Sequence, residues 1–312
     1  MSNSLGVIKS STPIEAVKAT QPRMISQIAL KPAKQPDTII KIVSANEISV
    51  PVNKTFFTVA HLLLFVLYEA FATIILYFGE RDLTPNLYIF KTLDVSKSSF
   101  SVISYSYPIT WILSLSLIIS GIFNLVSVTI FRNYYMFYLS KCKSPLRWME
   151  YFITSGLNAS VIAVVLGNKD LMTVILLSCL TAVGTSFGYW TETLARPLSQ
   201  LEWTLPYKTR IVPWMLGFIT VSVPIIVMVV LFYLSDISSY VKTEHLHAVL
   251  WSQFVLFPSF GNVLAIQQWF RPSQYQRVEL FYQVSAVVSR FTLAAIVFFS
   301  ILRNKQWQDQ FS

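Results

Sequence analysis

Apolar runs of about twenty residues recur seven times along the chain. They cover about 55–79, 108–131, 148–167, 171–191, 211–235, 247–270 and 280–302, with short polar segments between them. A helix needs about 20 apolar residues to cross the hydrocarbon core of a bilayer. Inside that core the backbone must satisfy its own hydrogen bonds, so each run is expected to be helical. The connection "GNKD" (167–170) is short enough to make spans three and four a tight antiparallel hairpin. Pro213, Pro224 and Pro258 are expected to kink the fifth and sixth spans, where neighbouring helices can cover the freed carbonyls. The segment 80–107 has a different rhythm: "NLYIF" and "SFSVISYSY" alternate or are β-branched, which reads as a short β-hairpin in the first outer loop. Two strands alone are marginal, so the hairpin is expected to pack on another subunit or on the helix ends. The fold class is therefore an all-α membrane protein, a seven-transmembrane-helix bundle with one small hairpin.

Composition agrees with the pattern. The 312 residues are 54% hydrophobic and only 12% charged, against roughly 25% charged in soluble domains. Residues 1–54, rich in Ser, Thr, Pro and Lys, read as a soluble, largely unstructured tail with weak β character at "TIIKIVSANEISVPV". They lack the compact apolar core of a signal peptide. Residues 303–312 read as a short tail after the domain 55–302. Cys142 and Cys179 have no metal spacing and read as free thiols. The net charge of +9 is spread over connecting segments, which speaks for topology and not for nucleic acid. Sixteen Lys and Arg fall on the side of the N-terminal tail and seven on the other. The positive-inside rule then puts the N-terminus in the cytoplasm and the C-terminus outside. G-protein-coupled receptors and ion-pumping microbial rhodopsins run the opposite way.

Ionisable residues inside spans are functional candidates by default. Glu69 sits near the middle of span one, and His61 lies eight residues earlier on the same broad face, about 12 Å away along the axis. Water or a third side chain is needed to link them. Glu150, beside Arg147 and Trp148, reads from its window alone as an interfacial anchor. Arg290 is near the centre of the last span and stays charged, so it requires a buried acid, with Glu150 and Glu69 as candidates. His245 and His247 read as a solvated pair in an outer loop.

Several motifs, in order, resemble the heliorhodopsins, seven-helix retinal proteins with a cytoplasmic N-terminus. "AHLLLFVL" (60–67) is similar to the family's FHLL, "RWMEY" (147–151) to RWxEY and "IVPWM" (211–215) to IVPW. "ELFYQVSAVVSRFTLAA" (279–295) is similar to the last-helix pattern ERxYxxLSLxxKSxLA. The resemblance implies that Glu150 holds the position of the counterion to the protonated retinal Schiff base, and so lies in the core. It implies that His61 belongs to a cytoplasmic-side polar cluster whose second histidine is here Asn124. It also implies retinal as cofactor and homodimerisation through the hairpin. One departure matters: the family's retinal-binding lysine aligns on Arg290. A Schiff base requires an amine that can be deprotonated, which a guanidinium does not supply.

Three classes of function remain open. One is a heliorhodopsin-like light-sensing or signalling protein that holds retinal non-covalently or has lost light sensing, with an aromatic pocket at Trp214, Trp251 and Phe257. Another is a proton or ion channel or transporter using Glu69, Glu150, His61 and Glu192 with the polar sixth span. The third is a light-independent scaffold with an unknown cytoplasmic partner. No nucleophile–base pair, phosphate loop or metal spacing points to an enzyme.

Overall fold

The computed structural model describes residues 49–81, 83–94, 99–234 and 244–302. Most of the expected tail, residues 1–48, and the segment 303–312 lie outside the described residues. The elements are α1 (Lys54–Phe78), β1 (Asn86–Asp94), β2 (Ser99–Ser106), α2 (Ile109–Val128) and α3 (Arg132–Ser140). There follow α4 (Pro145–Val165), α5 (Leu171–Leu194), α6 (Tyr207–Arg210), α7 (Val212–Leu234), α8 (Glu244–Trp269) and α9 (Tyr275–Val297). A wider helical turn over Phe298–Leu302 extends the last. Among the described residues, seven helices are long and apolar enough to cross a membrane: α1, α2, α4, α5, α7, α8 and α9.

Local chemistry starts several of them. The Asn53 side chain accepts from Phe56 N–H at 3.1 Å and caps α1. Pro145 stands in the first turn of α4, where its missing N–H has no cost. Asp170 accepts from Thr173 N–H at 2.8 Å and opens α5 directly after the short connection from α4. Pro213 likewise sits in the first turn of α7, so it begins the helix and does not interrupt it. Pro224 and Pro258 lie inside continuous helices.

The third span, α4, is the axis of the bundle. Sixteen of its 21 residues are buried, and its mean hydropathy, 1.2, is the lowest of the seven. A central helix meets other helices all round and can afford polar side chains that a lipid-facing one cannot. By contrast Val59, Leu63 and Val66 on α1 and Met215, Ile219, Val223 and Ile226 on α7 are exposed. Such a belt is an aggregation surface in water and the correct face in a bilayer. An apolar core of Tyr68, Ile75, Leu113, Leu117, Val161, Leu293 and Val297 joins α1, α2, α4 and α9.

Four details correct the sequence reading. The segment between spans two and three is not all loop: α3 folds under the bundle and buries Tyr135, Met136 and Leu139 against Phe57, Leu146 and Tyr275. Cys142 is buried in that layer, where burial pushes its thiol up to about 12, so it stays an unreactive thiol. Packing begins before residue 55, because Val50 is buried and its N–H donates to Ser140 O at 2.8 Å. His247 belongs to α8, edge-on to Phe232 and Tyr233, and not to a solvated loop. Arg147, which its window sets with Glu150 at the membrane interface, is buried in α4.

The hairpin pairs antiparallel from Asn86↔Ser106 to Asp94↔Ser99, with an irregularity between Phe90 and Leu93. Tyr88 N–H donates to Lys169 O at 2.8 Å, which docks the hairpin on the α4–α5 connection. Val102, Ile103 and Tyr105 of β2 remain exposed.

Candidate functional site

Arg290 lies about 22 Å along α9 from Tyr275, too deep for its head group to reach an aqueous interface easily. Its guanidinium is ion-paired with Glu150, one turn into α4. Nη1 also donates to the Tyr68 hydroxyl at 3.3 Å and Nη2 to Thr154 Oγ1 at 2.7 Å. The rings of Tyr68 and Tyr151 flank the guanidinium, their centroids 5.7 and 5.2 Å from its central carbon. Glu150 is buried, so the interfacial-anchor reading fails: α4 carries it into the core. Burying two charges is tolerable when each meets the other and further hydrogen bonds support them; here the two meet, and Tyr68 and Thr154 take further bonds from the guanidinium.

A second group lies beside this pair. His61 Nδ1 donates to Asn124 Oδ1 at 2.7 Å, and its Nε2 is 2.9 Å from both the Gln283 amide nitrogen and the Tyr135 hydroxyl. The Tyr135 hydroxyl also donates to Glu279 at 3.3 Å. Glu69, expected in this cluster, is not in it. Its carboxyl lies against Gly121 of α2, with one oxygen buried and unpartnered among the described residues. The reason is angular: eight residues advance a helix by more than two turns, and the remainder rotates Glu69 toward the α1–α2 groove.

A third group closes the end of the bundle near α3. Arg147 forks between two buried carboxylates, Glu192 of α5 and Glu279 of α9. Glu192 further accepts from Trp148 Nε1 at 2.7 Å, Tyr275 OH at 3.1 Å and Ser144 N–H at 3.1 Å. The Arg147 guanidinium lies 3.9 Å over the Tyr282 ring. A cavity of about 30 Å³, lined by Glu150, Arg290, His61, Tyr135, Arg147 and Glu279 among others, runs between the three groups.

On the other side of Arg290 lies a larger cavity of about 90 Å³, bounded by α4, α5, α7, α8 and α9. Trp148, Tyr151, Phe187, Trp214 and Phe218 give it aromatic walls. Trp214 is held by its indole N–H, which donates to Gly261 O at 2.6 Å. Trp251 does not line it: that residue is 47% exposed and packs on Phe254, because Gln253, two positions on, takes the inward face of α8. The Phe257 side chain lies outside the described residues. No lysine among the described residues lines either cavity, so the site does not fit covalent attachment of an aldehyde through an amine. No cluster of three or more metal-ligating side chains occurs among the described residues.

Glycines shape the larger cavity. A Cβ at Gly188 would land inside the Trp148 indole, whereas one at Gly261 would meet only ordinary contacts at 3.5 Å. Gly188→Ala is therefore expected to displace Trp148 from Glu192 and lower stability by about 1–3 kcal/mol. Gly261→Ala is expected to be neutral within about 0.5 kcal/mol. Thermal unfolding of the two variants in detergent checks this, and equal shifts would contradict it.

Arg147, Glu192, Tyr135 and Gln283 were not assigned together from sequence. Arg147 and Glu192 each stand near a span end, where charge is unremarkable, and Tyr135 lies on the helix first read as loop. The signal that was available is the acidic residue opening "ELFYQ" (279–283), which sets Glu279 on the same helix as Arg290.

No curated protein sequence matches the chain. The family model for heliorhodopsin matches residues 54–302, the whole seven-helix body with its Arg290–Glu150 centre, and the chain belongs to the heliorhodopsin family.

Proposed function

We propose that this protein is a blind relative of a photoreceptor: a membrane signalling protein whose cavity holds its ligand without a covalent bond. Heliorhodopsins normally bind retinal. The observation that carries the reading is the ion pair of Arg290 with Glu150, at the centre of the bundle beside a cavity with no lysine among the described residues in its wall. A guanidinium is delocalised and stays protonated, so it offers no lone pair to an aldehyde. Arg290 with Glu150 reproduces the charge pair of a protonated Schiff base and its counterion, without the chemistry of attachment.

The rest of the reading follows from charge and exposure. The Lys and Arg excess favours a cytoplasmic N-terminus. The exposed Val102, Ile103 and Tyr105 of the hairpin favour it as the homodimer surface. Glu150, Glu192 and Glu279 are each ion-paired with Arg290 or Arg147, so they are not open to a moving cation, which disfavours the channel reading.

Mass spectrometry of the full chain after incubation with all-trans retinal and borohydride tests the reading. The expected result is no covalent adduct at any residue of α9. A stable retinyl adduct within the bundle would overturn it.

A further inference from the structure

A separate groove of about 480 Å³ opens where the chain enters α1, within the roughly 300–1,000 Å³ of small-molecule sites. One wall is α3: Arg132, Asn133, Met136 and Ser140 line it, a spacing that puts them on one face of that helix. The other wall is the segment leading into α1, with Val52 and Lys54. That segment is fixed on both sides. Val50 N–H donates to Ser140 O at 2.8 Å, while Gln276 of α9 donates to Pro51 O and accepts from Asn53 N–H at 3.4 Å. The charge of the groove is one-sided. No carboxylate among the described residues lines it, and the ion pairs among those residues involve Arg147 and Arg290, not Lys54 or Arg132. Lys141 adds a third cation, its Nζ 4.4 Å over the ring of Phe137, which belongs to the wall.

Depth points to the source of an anion. Lys54 is the first residue of one spanning helix, and Arg132 opens α3 just beyond the end of another. Both cations therefore stand at the level where hydrocarbon gives way to headgroups. Beside them Ile130 is 76% exposed, and Phe131, Tyr134 and Phe137 also turn outward. Such rings belong at the membrane–water boundary, so α3 is an interfacial helix with one face on the bundle and another toward lipid. We propose that this groove binds the phosphate of an anionic phospholipid in the surrounding leaflet. Lys54 and Arg132 supply charge-assisted bonds to its oxygens, the Asn133 amide adds a neutral donor, and the acyl chains lie along Ile130 and Phe131. A zwitterionic headgroup brings its own cation against those of the protein and is disfavoured. The Lys and Arg excess favours the cytoplasm for this end of the bundle, and the cytoplasmic leaflet is the anionic one.

The test titrates the purified full chain, in a neutral detergent, with phosphatidylglycerol and with phosphatidylcholine of the same acyl chains, and reads retained lipid by native mass spectrometry. Native protein is expected to bind phosphatidylglycerol saturably and about tenfold or more tighter than phosphatidylcholine. Lys54→Gln with Arg132→Gln is expected to weaken phosphatidylglycerol about thirtyfold, the worth of two cations beside an anionic headgroup, and to leave phosphatidylcholine unchanged. Lys208→Gln with Arg277→Gln removes two exposed cations at the same end of the bundle that do not line the groove, and is expected to change neither. Lys54 and Arg132 are both exposed, so the fold is expected to stand. Thermal unfolding checks it, and Lys54→Gln alone serves if the double variant does not fold. Equal losses in the two double variants would mean a diffuse attraction of charge, and equal affinity for the two lipids would mean that the groove does not read charge. Either result overturns the inference. Glycerol 3-phosphate displacing phosphatidylglycerol at equal concentration would make the occupant a soluble anion and overturn the lipid assignment.

Discussion

Replacing Arg147 with Met is expected to lower the stability of the protein by about 3–5 kcal/mol, the range for removing one partner of a buried ion pair. Net stabilities of folded domains are only about 5–15 kcal/mol, so this is a large fraction of what holds the bundle together. The size follows from stoichiometry. Among the described buried groups of the three clusters, two guanidiniums, Arg147 and Arg290, face three carboxylates, Glu150, Glu192 and Glu279. Arg147 alone serves two of them, and a methionine leaves both facing each other across a dry interior. Lysine is expected to rescue poorly, because one ammonium cannot reproduce a fork that reaches carboxylates on two different helices. Thermal unfolding in detergent gives the readout, and adding Glu192→Gln and Glu279→Gln to Arg147→Met is expected to restore most of the loss. A single variant within about 1 kcal/mol of native would show that the fork does not hold α4, α5 and α9 together.

The bundle was legible in the sequence because hydrocarbon imposes a simple rule: seven runs long enough to span gave seven helices, and the β-branched segment between the first two gave the hairpin. Arg290 was legible too, since an arginine at the centre of a span must find an acid, and of the two candidates Glu150 is the one that α4 brings to it. What sequence could not settle was angle. Glu69 shares a helix with His61, yet it faces Gly121, and the partners of His61 come instead from α2, α3 and α9. Trp251 has the right residue type for a pocket wall, but two positions along α8 separate the outward face from the inward one. Arg147 was misread for another reason. A charge near a span end looks like a headgroup contact until α3 is known to fold beneath it and shut out water.

Arg290→Lys is expected to give an all-or-none change in colour. After addition of all-trans retinal, the variant should gain a red-shifted visible band that hydroxylamine removes, and the native chain should gain none. The geometry supports the expectation because everything around the side chain stays in place: Glu150 remains across from it, Thr154 and the Tyr68 hydroxyl keep their positions beside it, and the cavity walled by Trp148 and Trp214 opens next to it. A lysine amine, unlike a guanidinium, can lose its proton and attack an aldehyde. The imine formed with loss of water is neutral until it takes up a proton, and Glu150 beside it favours the protonated form, which absorbs to the red of free retinal. The cost in stability is expected to be small, since the ion pair with Glu150 survives and one hydrogen bond to Thr154 is lost, worth about 1 kcal/mol. A folded Arg290→Lys protein that stays colourless would mean that the cavity cannot admit a polyene, and the kinship with light sensing would then extend to the fold alone. A band in the native protein of equal resistance to washing would mean that retinal is held without attachment, with Arg290 and Glu150 as its polar neighbours.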